Sequence, residues 1–186
     1  MKGDHHELHT PSAWVTRWAD RIRPGGRVLD VACGNGRHAR FFAKRGHPVE
    51  AVDRDPDRLV PLTGIPGITP RCADIEAGPW PYGGQQFAGI VVANYLHRPL
   101  FPRLLQALVP GGVLIYETFA AGNERFGRPS NPDFLLKPGE LLETVRGRLK
   151  VIAYEELEIS EPRPGMVQRI CAVNPAVSQE TRPLQQ

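Results

Sequence analysis

Asp30, Asp53, Asp74 and the pair Asn94-Tyr95 each fall at the downstream end of a short apolar run. Just after Asp30 comes Ala32-Cys33-Gly34-Asn35-Gly36, and then a helical pattern with Phe41, Phe42 and Ala43. That order reads as strand, tight glycine turn, helix. Glycine permits positive φ and lets a ligand come close to the backbone. A helix that starts just past the turn offers free N–H groups to whatever is bound there. A nucleotide-like cofactor is the ligand this chemistry suits. Gly34, Gly36 and Ala39 also match the dinucleotide pattern G-x-G-x-x-G/A. Asp30 argues against a dinucleotide, since that strand usually stays apolar, and Asp53 supplies a second acid one strand later.

The elements around these residues alternate. Trp14, Val15, Trp18, Ala19 and Ile22 recur at helical spacing, with Thr10-Pro11 predicted as cap and first turn. A helix is expected from about Gly36 to Arg45, stopped by Gly46. The run 48–52 is a short strand ending at Asp53. Asp55-Pro56 reads as the N-cap and first residue of the next helix, which leaves Asp53 without a capping duty. Ile68 to Cys72 and Phe87 to Ala93 are further strands, the latter apolar enough to be buried on both faces. Leu100 to Val109 is helical in pattern. Pro110-Gly111-Gly112 turns into a strong strand, Val113 to Phe119. Residues 120–137 lack any period, and a loop of that length in a compact domain is usually functional or disordered. Pro138 to Val145 resumes a helix. Leu149 to Ile159 and Met166 to Val173 form a pair of strands, and 174–186 read as a polar, disordered tail.

Strands alternating with helices imply a parallel sheet covered on both faces. In such sheets ligands bind outside the carboxyl ends of the strands. The glycine turn, Asp53, Asp74 and Asn94-Tyr95 all belong to that one edge.

Composition narrows the class. The 186 residues suit one domain with a full core. No apolar run approaches the ~18 residues a membrane span needs, and the N-terminus shows no secretory signal. Three scattered cysteines point to reduced thiols and a cytoplasmic location. A net charge of +3, with acids and bases interleaved, gives no nucleic-acid surface. Asp4, His5, His6, Glu7 and His9 could be drawn as a metal cluster, but a solvated leader accounts for them and no metal is expected. Oligomeric state is not encoded in any of these features.

Taken together, Val28 to Gly36, Val52-Asp53, Ala73-Asp74-Ile75, the run to Asn94-Tyr95 and Leu108 to Gly112 resemble the class I S-adenosylmethionine-dependent methyltransferases. Within them the chain is most similar to small bacterial methyltransferases of the tellurite-resistance type. The resemblance implies an α/β fold: a Rossmann-like seven-stranded, mostly parallel sheet with helices on both faces and an antiparallel last strand. It implies one such domain over residues 1–173, with S-adenosyl-L-methionine as cofactor. The cofactor site would comprise Asp30, Ala32, Cys33, Gly34, Gly36, Asp53, Arg54, Asp74, Ile75, Asn94, Tyr95 and Leu96. Asp30 would anchor the turn and the cofactor's amino group. Asp53 would accept from the ribose hydroxyls, Arg54 would flank the adenine, and Asp74 with the Ile75 N–H would read its edge. A loop cap is the plainer role for Asp74, and a small buried one for Cys33. Ala32 departs from the family, which often has glycine there.

The implied chemistry is in-line displacement at the sulfonium methyl, with orientation supplied by the protein. Tyr95, His97 and Glu117 are the catalytic candidates. Tyr116, Asn123, Arg125, Phe126 and Arg128 are the candidates for holding a small acceptor, with the two arginines suited to an anion. Ordinary packing remains the alternative for His97 and Tyr116. No Asn/Asp-Pro-Pro-Tyr motif is present, which lowers a nucleobase or amide target. The competing functions are an NAD(P)-binding oxidoreductase and a non-catalytic binder of S-adenosylmethionine.

Overall fold

A computed structural model describes residues Thr10 to Pro175. Strands β1 (Val28–Val31), β2 (Val49–Asp53), β3 (Ile68–Cys72), β4 (Phe87–Ala93), β5 (Leu108–Phe119), β6 (Lys150–Ile159) and β7 (Gly165–Val173) form one sheet in the order β3-β2-β1-β4-β5-β7-β6. The first five run parallel, and β7 is antiparallel to both its neighbours. The expected architecture is therefore present. The order turns back between β1 and β4, the place where a crevice opens in such sheets. Pro70 lies on β3, an edge strand, where its missing N–H costs no ladder bond.

The helices are α1 (Ala13–Trp18), α2 (Arg37–Lys44), α3 (Pro56–Leu59), α4 (Phe101–Gln106) and α5 (Glu140–Val145). Strand alternation sorts the core into two layers. On one face Val28, Ala51, Val91 and Ile115 pack with Trp14, Ala39, Phe42 and Leu59 of α1, α2 and α3. On the other Leu29, Val52, Ile90, Leu114 and Tyr116 pack with Leu104, Leu105 and Leu141 of α4 and α5. Strands β1 and β4 sit centrally with almost every residue buried, which explains the unbroken apolar run of β4 and an apolar β1 interrupted only by Asp30.

Two local expectations change. Ser12, not Thr10, caps α1: its hydroxyl accepts from the Trp14 and Val15 amides. Asn174 is no loose end. Its side chain donates to the Leu108 and Val109 carbonyls, and its backbone pairs with Gly111 and Gly112. The histidine-rich leader and the rest of the polar tail lie outside the described residues.

The two glycines of the turn have different reasons to be glycine. Both have positive φ, +54° at Gly34 and +73° at Gly36. A Cβ on Gly36 would lie 2.4 Å from Leu62 Cδ2, and Leu62 is fully buried. At Gly34 the nearest atom is 3.6 Å away. The close approach at Gly36 is thus made by the core. Gly36→Ala should lower unfolding free energy by about 2–4 kcal/mol, combining left-handed strain with overpacking. Gly46→Ala, at φ +83° with nothing within 4 Å, should cost only about 1 kcal/mol. Urea denaturation of both variants measures the difference.

Candidate active site

The turn between β1 and α2 is held by two carboxyl groups from different strands. Asp30 is fully buried on β1, and its Oδ2 accepts from the Ala39 amide at 2.9 Å. Ala39 is the third residue of α2, whose N-cap is Gly36 and offers no side-chain acceptor. Asp30 thus does through space what an N-cap side chain normally does. Burial pushes its carboxyl up to about 7, against the lowering effect of that amide. His38 lies beside it, with Nδ1 at 4.0 Å from Asp30 Oδ1 and Nε2 accepting from the Ser12 amide at 3.2 Å. Burial holds His38 neutral, down to about 3, so it ties the start of α1 to α2 as an acceptor.

Asp53 has a structural duty after all. Its Oδ2 accepts from the Gly34 amide at 2.8 Å and its Oδ1 from the Asp55 amide at 3.0 Å. Asp55 caps α3 by accepting from the Asp57 amide. Each Asp53 oxygen keeps further acceptor capacity, which suits a vicinal diol.

A cavity of about 430 Å³ opens at the carboxyl edge of the sheet. Asp53, Arg54, Asp74, Ile75, Asn94, Tyr95, Leu96 and Ala32 line it, joined by Glu76, Thr118, Phe119, Pro129, Phe134 and Arg163. Ala32 (φ +51°) and Asn94 (φ +56°) are the described non-glycine residues in the left-handed region. Asparagine tolerates that conformation, whereas alanine adopts it at a cost, so Ala32 holds backbone strain at the cavity wall. Asp74 Oδ1 accepts from the Glu76 and Ala77 amides, which hold its carboxyl below the usual range. Its capping role and its place on the cavity wall therefore coexist. Tyr95 donates to Glu76 Oε1 at 3.0 Å, and burial pushes its phenol up, so it stays protonated.

A second cavity of about 280 Å³ adjoins the first and shares Asn94, Thr118, Phe119 and Arg163 with it. Thr10 to Trp14, Arg37, Glu117, Ile159, Glu161, Pro162, Val167 and Arg169 complete its lining. Glu117 is raised by burial, against the Ser12 side-chain hydrogen bond and the charges of Arg37 and Arg169.

Other expected site residues lie away from both cavities. Cys33 packs in the core with its thiol raised by burial, and Gly34 and Gly36 shape the turn. Tyr116 is fully buried and donates to the Tyr95 carbonyl at 2.8 Å, so it supports the floor from beneath. His97 stands 4.0 Å from Glu76 Oε2, outside the lining. Asn123 is a buried clamp that donates to the Pro129 carbonyl and accepts from the Met166 amide. Arg125 is paired with Glu158 and stacked on Phe126, and Arg128 also lies outside both cavities.

The loop meets the cavity through Pro129 and Phe134 instead. It is suspended from Arg98, which donates to both oxygens of Glu140 at 2.6 and 2.9 Å. The same guanidinium donates to the Asp133 and Leu135 carbonyls, each at 2.8 Å.

The state of Asp30 sets a pH dependence. The folded protein keeps this proton up to about pH 7, whereas the unfolded chain releases it near the ordinary carboxyl value. Unfolding therefore releases a proton between those limits, and this group's contribution to stability falls as pH rises through them. Asp30→Asn keeps an acceptor for Ala39 and should flatten that fall, worth on the order of a few kcal/mol. Chemical denaturation from pH 5 to 8 checks the slope.

The methyltransferase domain family matches residues 4–143 of the chain. Trans-aconitate 2-methyltransferase of Rhizobium meliloti is 33% identical over 96 residues, covering 49% of this chain and 37% of that protein. Ribosomal protein L11 methyltransferase of Thermus thermophilus is 36% identical over 116 residues, covering 58% and 43%. The matched stretch is thus less than half the length of those relatives. In fold the chain is similar to TehB from Haemophilus influenzae, with a TM-score of 0.74 at 18% identity over 88% of this chain and 62% of that one. With its sheet order, its glycine turn and this match, the chain belongs to the class I S-adenosylmethionine-dependent methyltransferases.

Proposed function

We propose that this protein transfers the methyl group of S-adenosylmethionine to a small-molecule acceptor. The observation that carries the reading is the pair of adjoining cavities at the carboxyl edge. The larger lies within the size range of cofactor sites and has the Asp53 carboxylate on its wall. A protein methyltransferase, such as the L11 relative, needs a surface that receives a folded partner. Here the space beyond the first cavity is a chamber of about 280 Å³ walled by the start of α1, the end of β5 and the β6–β7 turn.

The residues divide the work. Asp53 accepts from the ribose hydroxyls while holding the Gly34 amide. Asp74 and the Ile75 amide meet the adenine edge, and Arg54 flanks it. Asn94, Tyr95 and Leu96 form the floor. The cofactor supplies an electrophilic methyl on a sulfonium, so the protein has to orient the acceptor and exclude water. Tyr95 keeps its proton and hydrogen-bonds to Glu76, which makes it a wall residue rather than a base. No helix among the described residues is long and apolar enough to cross a membrane. We place the activity in the cytoplasm, as its three free cysteines suggest.

Calorimetric titration tests the reading. S-adenosylhomocysteine should bind and NAD should not. Asp53→Ala should weaken that binding by about 10- to 100-fold, the worth of hydrogen bonds to a charged acceptor. Asp53→Asn, which keeps one acceptor oxygen, should fall between. Binding of NAD in preference to S-adenosylhomocysteine would favour a dinucleotide oxidoreductase instead.

A further inference from the structure

The methyl-transfer reading fills the larger cavity and leaves the smaller one without an occupant. On that reading, we infer that the smaller chamber is the acceptor site, that its ligand is a small organic acid, and that Arg163 holds the carboxylate. Asn94, Thr118, Phe119 and Arg163 line both spaces, so the smaller chamber lies directly beside the one given to the cofactor.

Of the three arginines lining the chamber, Arg163 is the one that also lines the larger cavity. Arg169 is taken up by Glu155, with Nε at 2.6 Å and Nη2 at 2.5 Å from Oε2, and lies over the Trp14 ring at 4.9 Å. Arg37 donates to the Thr10 carbonyl and its charge acts on Glu117. Glu117 is bonded to Ser12, and burial favours its neutral form. Arg163 stands on the turn between β6 and β7, 4.8 Å over the Phe119 ring. Among the described residues its partner is that ring, and no ion pair joins it to a carboxylate. A guanidinium fixed in plane by an aromatic ring presents a fork of donors that matches a carboxylate. Pro11, Trp14, Ile159 and Val167 give the rest of the wall an apolar character, which suits a short hydrocarbon body behind the acid group.

The transfer then balances without a base. One carboxylate oxygen forms the new C–O bond as the S–C bond breaks, and the electron pair of that bond stays on sulfur. An anion and a sulfonium cation become a neutral methyl ester and S-adenosylhomocysteine. No proton changes hands, so nothing is asked of Tyr95 or Glu117 beyond position.

The test uses the full chain, radiolabelled S-adenosylmethionine and matched sets of short-chain mono- and dicarboxylates, amines and thiols. The expected product is a base-labile methyl ester that releases methanol. An accepted acid should also raise the melting temperature of the S-adenosylhomocysteine complex. Arg163→Gln should raise the KM for the acid about tenfold or more, a loss of one charge-assisted pair. Arg163 borders the cofactor cavity as well, so S-adenosylhomocysteine affinity is measured alongside, and the acid KM should rise by a larger factor than that affinity falls. Arg163→Lys should recover part of the loss, and Arg125→Gln, outside both cavities, should change nothing. Transfer to amines or thiols alone, or an unchanged acid KM in Arg163→Gln, would overturn the inference. So would normal S-adenosylhomocysteine binding with no carboxylate methylated, which leaves the methyl-transfer reading standing. A wild-type protein that binds no S-adenosylhomocysteine would remove both.

Discussion

The buried hydrogen bond between the Asp30 carboxyl and the Ala39 amide is the contact from which the cleft is built. A helix whose N-cap is glycine has orphan donors at its first turn. Here the missing acceptor comes from β1, an interior strand of the sheet. That fixes the distance between β1 and α2 and so the shape of the glycine turn between them. Asp53 holds the same turn from the next strand through the Gly34 amide. Two carboxyl groups from adjacent parallel strands thus set one loop, and only Asp53 also faces the cavity. Asp30 carries the cost of burial and Asp53 carries the exposure to ligand.

Much of the sheet was legible because its central strands obey one rule. A strand covered on both faces is mostly apolar; the run from Phe87 announces that outright, while β1 and β2 each interrupt the pattern with one buried acid, Asp30 and Glu50. The outer strands were found by their turns: Gly64 and Pro66 ahead of β3 at one edge, and the proline-rich turn 161–165 that joins β7 to the other edge strand, β6. What patterning could not resolve were helix starts. Thr10-Pro11 and Ser12 are both acceptable caps by residue type. The choice of Ser12 is made by His38, 26 positions along the chain, which accepts from its amide.

The site was legible where it follows strand ends and obscure where it follows loops. Asp53, Asp74 and Asn94-Tyr95-Leu96 could be placed because a parallel sheet brings its carboxyl ends to one edge. Tyr116 and Glu117 needed the alternation of β5 to be applied. Leu114 and Tyr116 share the face of α4 and α5, while Val113 and Ile115 share that of α1. Glu117 follows the latter and so meets the start of α1. The arginines of the 120–137 loop drew attention by their charge, but charge does not tell direction: Arg125 turns outward to Glu158. Arg163 had no local signal, since its position depends on how far the β6–β7 turn folds back over Phe119.

Arg98 gathers the loop, α5 and the end of β4 onto one guanidinium. The floor residues 94–96 and the overhanging Phe134 are therefore two jaws joined at a single pivot lying beyond the ligand's reach. The gap between them is set by a rigid planar group with four filled acceptors. Selection for a wider or narrower guest could then act at Arg98 or Glu140, leaving every surface that touches the guest as it was.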